Sequence, residues 1–185
     1  MNAQQQHWDE RYRQGEHPHD PPLDFIERLL PPGDGRQALD LACGAGRHAA
    51  LMAQRGWQVT AVDWSSAALE IVRARDPRIL TVQADLEANT TFLMETNRWD
   101  LICVTFYLQR ELLPAVVDGL RQDGQLAVAF PLVDDREGVS PMRRQYSLAP
   151  GELRVLFDEL EIVHYEETNP PPPKRRTGEL WARKK

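Results

Sequence analysis

From residue 37 onward, short apolar runs alternate with segments in which apolar residues recur at helical spacing. The runs predict five strands, over residues 38–42, 57–63, 78–85, 99–106 and 124–130. The helical spacing predicts helices over residues 23–30, 47–55, 67–74 and 111–122, and residues 86–98 are expected to form a loop with one or two helical turns. Strands that alternate with helices indicate parallel pairing, and uninterrupted apolar runs are typical of strands buried on both faces of a sheet.

The C-terminal part of the chain breaks this alternation. Residues 149–157 predict a short helix, and residues 159–167 and 178–185 both predict strands, with no room for a helix between them. Their connection includes four consecutive prolines at 170–173, which form a stiff spacer. Because two strands joined in this way pair as a hairpin, the last strand runs antiparallel to its neighbours. The expected fold class is therefore α/β, with a doubly wound, mostly parallel, seven-stranded Rossmann-like sheet and an antiparallel C-terminal strand.

The first 35 residues are polar and contain five prolines, so they are unsuited to a central strand. We expect this segment to lie outside the sheet and to act as a lid over a site. A chain of 185 residues is long enough for one domain with a substantial core. The sequence therefore predicts a single domain with an N-terminal lid or helical segment (1–35), a cofactor-binding core (36–131) and a C-terminal helix and hairpin (132–185).

Composition narrows the classes of partner. The formal net charge is -6, and the basic excess is confined to residues 174–185, so the body of the chain is acidic. An acidic body opposes the binding of nucleic acid through phosphate contacts. No membrane span and no secretory signal are expected, because the chain has neither a long apolar run nor a basic start followed by an apolar stretch. Cys43 and Cys103 are too few for a disulfide framework, which favours a cytoplasmic location.

A glycine turn follows the first strand. Residues 44–49 (GAGRHA) match G-x-G-x-x-G/A, a turn that serves dinucleotides and S-adenosylmethionine alike. Asp40 lies four residues before Gly44, where its carboxylate would repel a pyrophosphate but favour an ammonium and a sulfonium. Asp63 and Asp85 end the next two strands, where they can accept hydrogen bonds from ribose hydroxyls and from the adenine amino group. Three acids at consecutive strand ends are a more specific signal of the cofactor class than the glycine turn is. They favour S-adenosylmethionine over a dinucleotide.

Three segments resemble the motifs of class I S-adenosylmethionine-dependent methyltransferases, namely DLACGAGR (40–47), VTAVDWS (59–65) and VQADLE (82–87). The resemblance covers most of the chain and is specific to the tellurite-resistance (TehB-like) methyltransferase family, through WDERYRQG (8–15), residues 99–124, APGELRVLF (149–157), VHYEE (163–167) and WARKK (181–185). It departs in two places: Ala42 stands where a first glycine is common, and RQDGQ (121–125) replaces a K-P-G-G turn.

The resemblance implies methyl transfer from S-adenosylmethionine, which leaves S-adenosylhomocysteine, and it implies roles for individual residues. Asp40, Ala42, Gly44 and Gly46 would line the methionine moiety. Asp63 would hold the ribose, with Trp64 flanking the adenine. Asp85 and the backbone of Leu86 would bind the adenine edge, and Thr105 would lie near the sulfonium.

The sequence defines the residues that would contact the methyl acceptor, on the acceptor side of the site, less well than those that would bind the cofactor. The candidates are Tyr107, Gln109 and Arg110 after the fourth strand, Arg47 in the glycine turn, and Trp8 and Tyr12 in the N-terminal segment. No general base is assigned and no metal site is expected, since His7, His17 and His19 fall in a polar segment without a rigid frame. The expected partner is a small-molecule methyl acceptor, and the expected state is a monomer or a homodimer. Two alternatives stay open, a nicotinamide-binding oxidoreductase and a noncatalytic S-adenosylmethionine-binding protein.

Overall fold

A seven-stranded sheet forms the centre of the molecule, which we describe from a computed structural model over residues 3–15, 20–87 and 95–185. The strands are β1 (Gln37–Leu41), β2 (Gln58–Asp63), β3 (Leu80–Gln83), β4 (Trp99–Thr105), β5 (Leu120–Pro131), β6 (Glu161–Glu167) and β7 (Thr177–Arg183). Their order is β3-β2-β1-β4-β5-β7-β6. Strands β1 to β5 pair in parallel, and β7 runs antiparallel to both β5 and β6. The fold class expected from the sequence is confirmed.

Helices cover both faces of this sheet. In the described residues they are α1 (Ala3–Arg13), α2 (Asp24–Leu29), α3 (Arg47–Gln54), α4 (Ser66–Arg75), α5 (Leu113–Gly119) and α6 (Glu152–Leu156), with short 3-10 turns at Arg110–Leu112 and Arg144–Tyr146. Successive residues of a strand face opposite sides, so Leu39 and Leu41 of β1 belong to one core cluster, and Ala38 packs with Met52 of α3 in the other. By the same alternation, the side chain of Asp40 lies on the α3 side of the sheet.

Two elements differ from the expected pattern. Helix α1 has no counterpart among the predicted helices, because its polar sequence carries little apolar periodicity. The helix expected over 111–122 ends at Gly119, and β5 begins at Leu120, which is fully buried and pairs with Trp99 of β4. Tertiary burial of Leu120 therefore overrides the local helical spacing. Part of the expected 86–98 loop, residues 88–94, lies outside the described residues.

Candidate active site

A cavity of about 450 Å³ opens beyond the carboxyl ends of β1, β2, β3 and β4. Strand β1 lies between β2 and β4, so the direction of the crossovers reverses at this point, where open α/β sheets bind ligands. Most residues singled out from the sequence line this cavity: Trp8, Tyr12, Ala42, Gly44, Arg47, Asp63, Trp64, Asp85, Leu86, Thr105 and Tyr107. The parallel sheet thus brings together side chains that are far apart in the sequence.

The turn after β1 forms the floor of the cavity and has a left-handed backbone. The φ angles are +51° at Ala42 and +54° at Gly44. This conformation is strained for a residue with a Cβ, so Ala42 occupies a position that suits glycine better. A Cβ on Gly44 would lie 2.5 Å from the hydroxyl oxygen of Tyr12. The absence of a side chain at Gly44 therefore lets α1 approach the turn closely.

Asp63 joins the end of β2 to the glycine turn. One carboxylate oxygen accepts the Gly44 N–H (2.8 Å), and the other accepts the Ser65 N–H (2.8 Å). Burial raises the pKa of Asp63 above its usual value, although these backbone donors oppose the rise. The carboxylate lines the cavity in a fixed orientation, where a donor such as a hydroxyl group can reach it.

The ends of β2 and β3 form another side of the cavity. The Trp64 carbonyl accepts the side-chain amides of Gln5 (3.2 Å) and Gln83 (3.1 Å), which joins α1, β2 and β3 at one point. Asp85 is half-buried, and one of its oxygens accepts the Glu87 N–H (2.9 Å). Two carboxylates, at 63 and 85, therefore line the cavity at neighbouring strand ends, as expected from the sequence.

Helix α1 is anchored over the cavity through a buried acid that was not among the predicted site residues. Asp9 is 2% exposed and accepts hydrogen bonds from the Ser65 hydroxyl (2.6 Å) and the Ala67 N–H (3.2 Å) at the start of α4. This anchoring places Trp8, Arg11 and Tyr12 in the cavity wall. A signal was present, because Asp9 belongs to the WDERYRQG segment, but an acid within a polar run is usually solvated.

Of the three N-terminal histidines in the polar segment, only His7 belongs to the described residues. His7 is an exposed residue of α1 whose ring packs edge-on against Trp8, with ring centroids 6.0 Å apart. His17 and His19 lie outside the described residues.

Four predicted site residues do not line the cavity. Asp40 is 1% exposed beneath the turn, on the α3 side of β1. Gly46 faces α4 instead, since a Cβ there would lie 2.7 Å from a methyl group of Val72. Arg110 is bound elsewhere, in an ion pair with Glu152 (2.7 Å) and in hydrogen bonds to two backbone carbonyls. Gln109, which accepts the Tyr107 hydroxyl (2.9 Å), is also outside the cavity lining.

Asp40 is part of a buried polar group below the cavity floor. Its Oδ2 has no hydrogen-bond partner among the described residues. Burial raises the pKa of Asp40 to about 7. Polar atoms of Asp40, His48 and Cys103 lie within 4.8 Å of one another, and all three residues are buried. Asp40 therefore lies beneath the cavity floor rather than among the lining residues.

His48 was not among the residues predicted for the site, but it connects this buried group to the cavity. The Leu23 N–H donates to His48 Nε2 (3.2 Å), and His48 Nδ1 lies 3.4 Å from the hydroxyl oxygen of Thr105. Burial, assisted by the charge of Arg47, lowers the pKa of His48 to about 3, so its ring is neutral. Within the motif GAGRHA, His48 occupies a position that the pattern leaves variable, which gave no signal.

Arg47, Phe106 and Tyr107 form the side of the cavity at the end of β4. The Arg47 guanidinium lies over the Phe106 ring, 5.3 Å from its centroid, and 4.0 Å from Asp20. Phe106 is 47% exposed and has a φ of +59°, which is a strained conformation for an aromatic residue. Burial and nearby acids, led by Glu87, raise the pKa of Tyr107, so its hydroxyl stays protonated at neutral pH.

The charges around the cavity favour a cationic ligand. Its lining includes four acids, Asp20, Asp63, Asp85 and Glu87, and two cations, Arg11 and Arg47. The acids lie at or near the ends of β2 and β3 or on the N-terminal segment. A pyrophosphate would meet this negative field at the glycine turn, whereas an ammonium or a sulfonium is attracted by it.

In the described parts of the chain, we find no helix with the length and apolar character needed to cross a bilayer.

Comparisons with known proteins identify a family for this arrangement. Residues 38–124 match a family model described as a methyltransferase domain. The chain is 32% identical over 148 residues to trans-aconitate 2-methyltransferase of Paracidovorax citrulli, which covers 75% of this chain and 55% of that protein. It is 24% identical over 139 residues to the probable S-adenosyl-L-methionine-dependent methyltransferase TehB of Haemophilus influenzae, which covers 71% of this chain and 48% of that protein. The chain thus spans about half the length of these relatives.

A solved structure supports the same fold. The TehB-like methyltransferase of Corynebacterium glutamicum superposes with a TM-score of 0.66 over 99% of both chains, at 18% sequence identity. At 18% identity, the structural similarity shows the fold alone. The motifs at the strand ends indicate the cofactor class.

Proposed function

Because this chain belongs to the class I S-adenosylmethionine-dependent methyltransferases and is TehB-like, we propose that it transfers the methyl group of S-adenosylmethionine to a nucleophilic atom of a small molecule. The observation that carries this proposal is the placement of Asp63 and Asp85 at neighbouring strand ends around one acidic cavity. These carboxylates suit a ribose and an adenine, and the four acids of the lining, against two cations, disfavour a pyrophosphate in the same cavity.

Residues of the chain fit the cofactor from one end of the cavity to the other. Asp85 and the backbone of Leu86 would bind the adenine edge, and Trp64 would flank the ring. Asp63 would bind the ribose hydroxyls, since its two oxygens are held in place by backbone donors. Ala42 and Gly44 would border the methionine part, with Asp40 beneath them, and Thr105 would lie near the sulfonium.

The chemistry requires alignment more than acid–base groups. When bound, S-adenosylmethionine supplies an electrophilic methyl group on a sulfonium. The residues of the chain would hold the nucleophile in line with that methyl group and exclude water, which helix α1 favours by covering the cavity with Trp8 and Tyr12. Tyr107 and Arg47 border the acceptor side, where they can hold a substrate in place without removing a proton.

The acceptor is proposed to be a small molecule. One relative is named for trans-aconitate, which is a small molecule. The wall formed by α1 and the acidic surroundings disfavour a nucleic acid strand.

Calorimetric titration of the full chain with S-adenosylhomocysteine and, separately, with NADH tests the cofactor class. We expect binding of the former and none of the latter, and the reverse result would favour the oxidoreductase alternative. Release of S-adenosylhomocysteine from S-adenosylmethionine is then measured with a panel of thiols, phenols, oxyanions and carboxylic acids, including trans-aconitate. Cofactor binding without turnover on any member would favour a noncatalytic binding protein.

A further inference from the structure

His48 has a defined proton arrangement that follows from its contacts alone. The Leu23 N–H points at His48 Nε2 (3.2 Å), so this nitrogen must present a lone pair. A neutral imidazole that accepts at Nε2 carries its hydrogen on Nδ1. A doubly protonated ring is excluded by the same contact, because two N–H groups would then face each other. His48 is 2% exposed, so water cannot replace either contact.

The second contact of His48 fixes a hydroxyl group at the cavity surface. The Nδ1–H donates to the Thr105 oxygen, 3.4 Å away. Thr105 has no other side-chain hydrogen bond among the described residues, and it lines the cavity at the end of β4. A hydroxyl oxygen has two lone pairs and one hydrogen. With one lone pair taken by His48 from below, the second lone pair and the hydrogen are left for groups inside the cavity.

We propose that His48 is a positioning residue, which fixes the Thr105 hydroxyl so that its remaining lone pair faces the cationic sulfonium end of the cofactor and its hydrogen is available to the methyl acceptor. This inference rests on the proposed function, and it deepens it by assigning a role to a buried residue. No proton is transferred, and His48 does not touch the ligand. The Nδ1–H bond removes the orientation in which the hydroxyl hydrogen points at His48, so the hydrogen and the second lone pair share the two positions that face the cavity, where a positive charge attracts the lone pair.

Nuclear magnetic resonance of the full chain with ¹⁵N-labelled histidine tests the arrangement directly. The His48 signals are assigned by their loss in a His48→Asn variant. We expect a neutral ring with hydrogen on Nδ1 and a bare Nε2 at pH 7. Hydrogen on Nε2, or on both nitrogens, would overturn the proposal.

Calorimetry with two ligands tests the role. S-adenosylmethionine carries the sulfonium, whereas adenosine presents only the groups expected at Asp63 and Asp85. Thr105→Val keeps the side-chain shape without the hydroxyl, and we expect it to weaken S-adenosylmethionine binding about tenfold and to leave adenosine binding within about twofold. Thr105→Ser keeps the hydroxyl and should bind both ligands nearly as the wild type does.

Variants at His48 separate positioning from stability. Asn offers an amide hydrogen at the δ position, whereas Leu offers none, and both lose the acceptor for the Leu23 N–H. We expect both variants to be less stable, but only His48→Leu to lose affinity for S-adenosylmethionine relative to adenosine, by about threefold to tenfold. His48→Leu combined with Thr105→Val should bind no more weakly than Thr105→Val alone.

Three results oppose this inference or its premise. If Thr105→Val or His48→Leu binds S-adenosylmethionine as the wild type does, or if both ligands weaken equally, His48 has only a structural role. If the wild-type chain binds neither ligand, the proposed function itself fails.

Discussion

Asp9 and Ser65 form a buried hydrogen bond between α1 and the start of α4, in which the Ser65 hydroxyl donates to Asp9 Oδ1 at 2.6 Å. The same carboxylate oxygen accepts the Ala67 N–H, and the Ser65 oxygen accepts the Ala68 N–H (3.1 Å). Residues from two helices thus cap α4 together. Because Ser65 follows directly after Asp63 and Trp64, this bond connects the N-terminal helix to the proposed ribose and adenine side of the cavity.

Replacing Asp9 with Ala should therefore weaken ligand binding as well as the fold. The variant leaves the Ser65 hydroxyl and the Ala67 N–H without their buried acceptor, which should lower the free energy of unfolding by about 1–3 kcal/mol. Loss of the α1 anchor should also weaken S-adenosylhomocysteine binding about tenfold, measured by calorimetry. Glu10→Ala is the matched control, because Glu10 is an exposed acid of α1 whose carboxylate accepts the Gln14 side-chain amide (2.7 Å). Equal affinity in both variants would show that α1 does not help to form the site.

Gly44→Ala should weaken ligand binding more than the same substitution at a glycine outside the cavity that also has a left-handed backbone. Both Gly44 (φ +54°) and Gly151 (φ +79°) have left-handed backbones, but an added Cβ meets Tyr12 in the first case and nothing within 4 Å in the second. We expect Gly151→Ala to cost about 1 kcal/mol without affecting the cavity. Gly44→Ala should also displace Tyr12 and weaken S-adenosylhomocysteine binding. If the two variants bind this ligand equally well, the close contact with Tyr12 has no role in the site.

Asp63→Asn should nearly abolish cofactor binding. Both carboxylate oxygens accept backbone N–H groups, and an amide must turn its NH₂ group toward one of these donors. The charge that would receive the ribose is also lost, so we expect S-adenosylhomocysteine affinity to fall roughly a hundredfold in calorimetry. Asp100→Asn is the control, since Asp100 lies near the amino end of β4, at the opposite end of the strands from the cavity, and accepts the Gln37 N–H (2.8 Å) there. An affinity loss at Asp100 as large as at Asp63 would point to a general effect on the fold.

The sequence predicted the sheet and the strand-end acids because both depend on patterns that neighbouring residues share. Apolar runs mark strands that are buried on both faces, and parallel pairing then gathers their carboxyl ends at one edge. By this reasoning Asp63 and Asp85 were expected at neighbouring strand ends, and both side chains line the cavity in the structure.

The same reasoning could not find Asp9 or His48, because their roles depend on long-range contacts. Asp9 is buried only since α1 packs against α4, and His48 meets Thr105 from a different element. Conversely, Asp40 belongs to the motif but lies below the cavity floor, because alternation along β1 turns its side chain toward α3. A motif indicates which turn is present, whereas burial decides which of its side chains reach the ligand.

The raised pKa of Asp40 should make the stability of the protein depend on pH. Burial raises this pKa to about 7 from an ordinary value of 3.8, so between these values the folded state holds a proton that the unfolded state releases. The stabilising contribution is complete below about pH 4 and is lost as the pH rises through about 7. Asp40→Asn should remove this dependence, with a difference of up to about 4 kcal/mol between the two profiles. Urea unfolding of both proteins from pH 4 to pH 8 measures it, and parallel profiles would show that Asp40 keeps its charge when buried.

Arg110→Ala should lower the stability of the fold without changing ligand binding or turnover, because Arg110 lies outside the cavity lining. Arg110 pairs with Glu152 (2.7 Å) and donates to the Gln145 and Ser147 carbonyls (3.0 Å each), which joins the segment after β4 to the segment before α6. Because the guanidinium is only about one-third exposed and makes several bonds, its loss should lower the free energy of unfolding by about 1–2 kcal/mol. S-adenosylhomocysteine binding should be unchanged in calorimetry, and turnover on any acceptor that the panel identifies should be unchanged as well. Arg47→Ala, which removes a cation from the cavity wall, is the comparison and should reduce turnover. A loss of turnover in Arg110→Ala as large as in Arg47→Ala would return Arg110 to the acceptor side, where the sequence first suggested it.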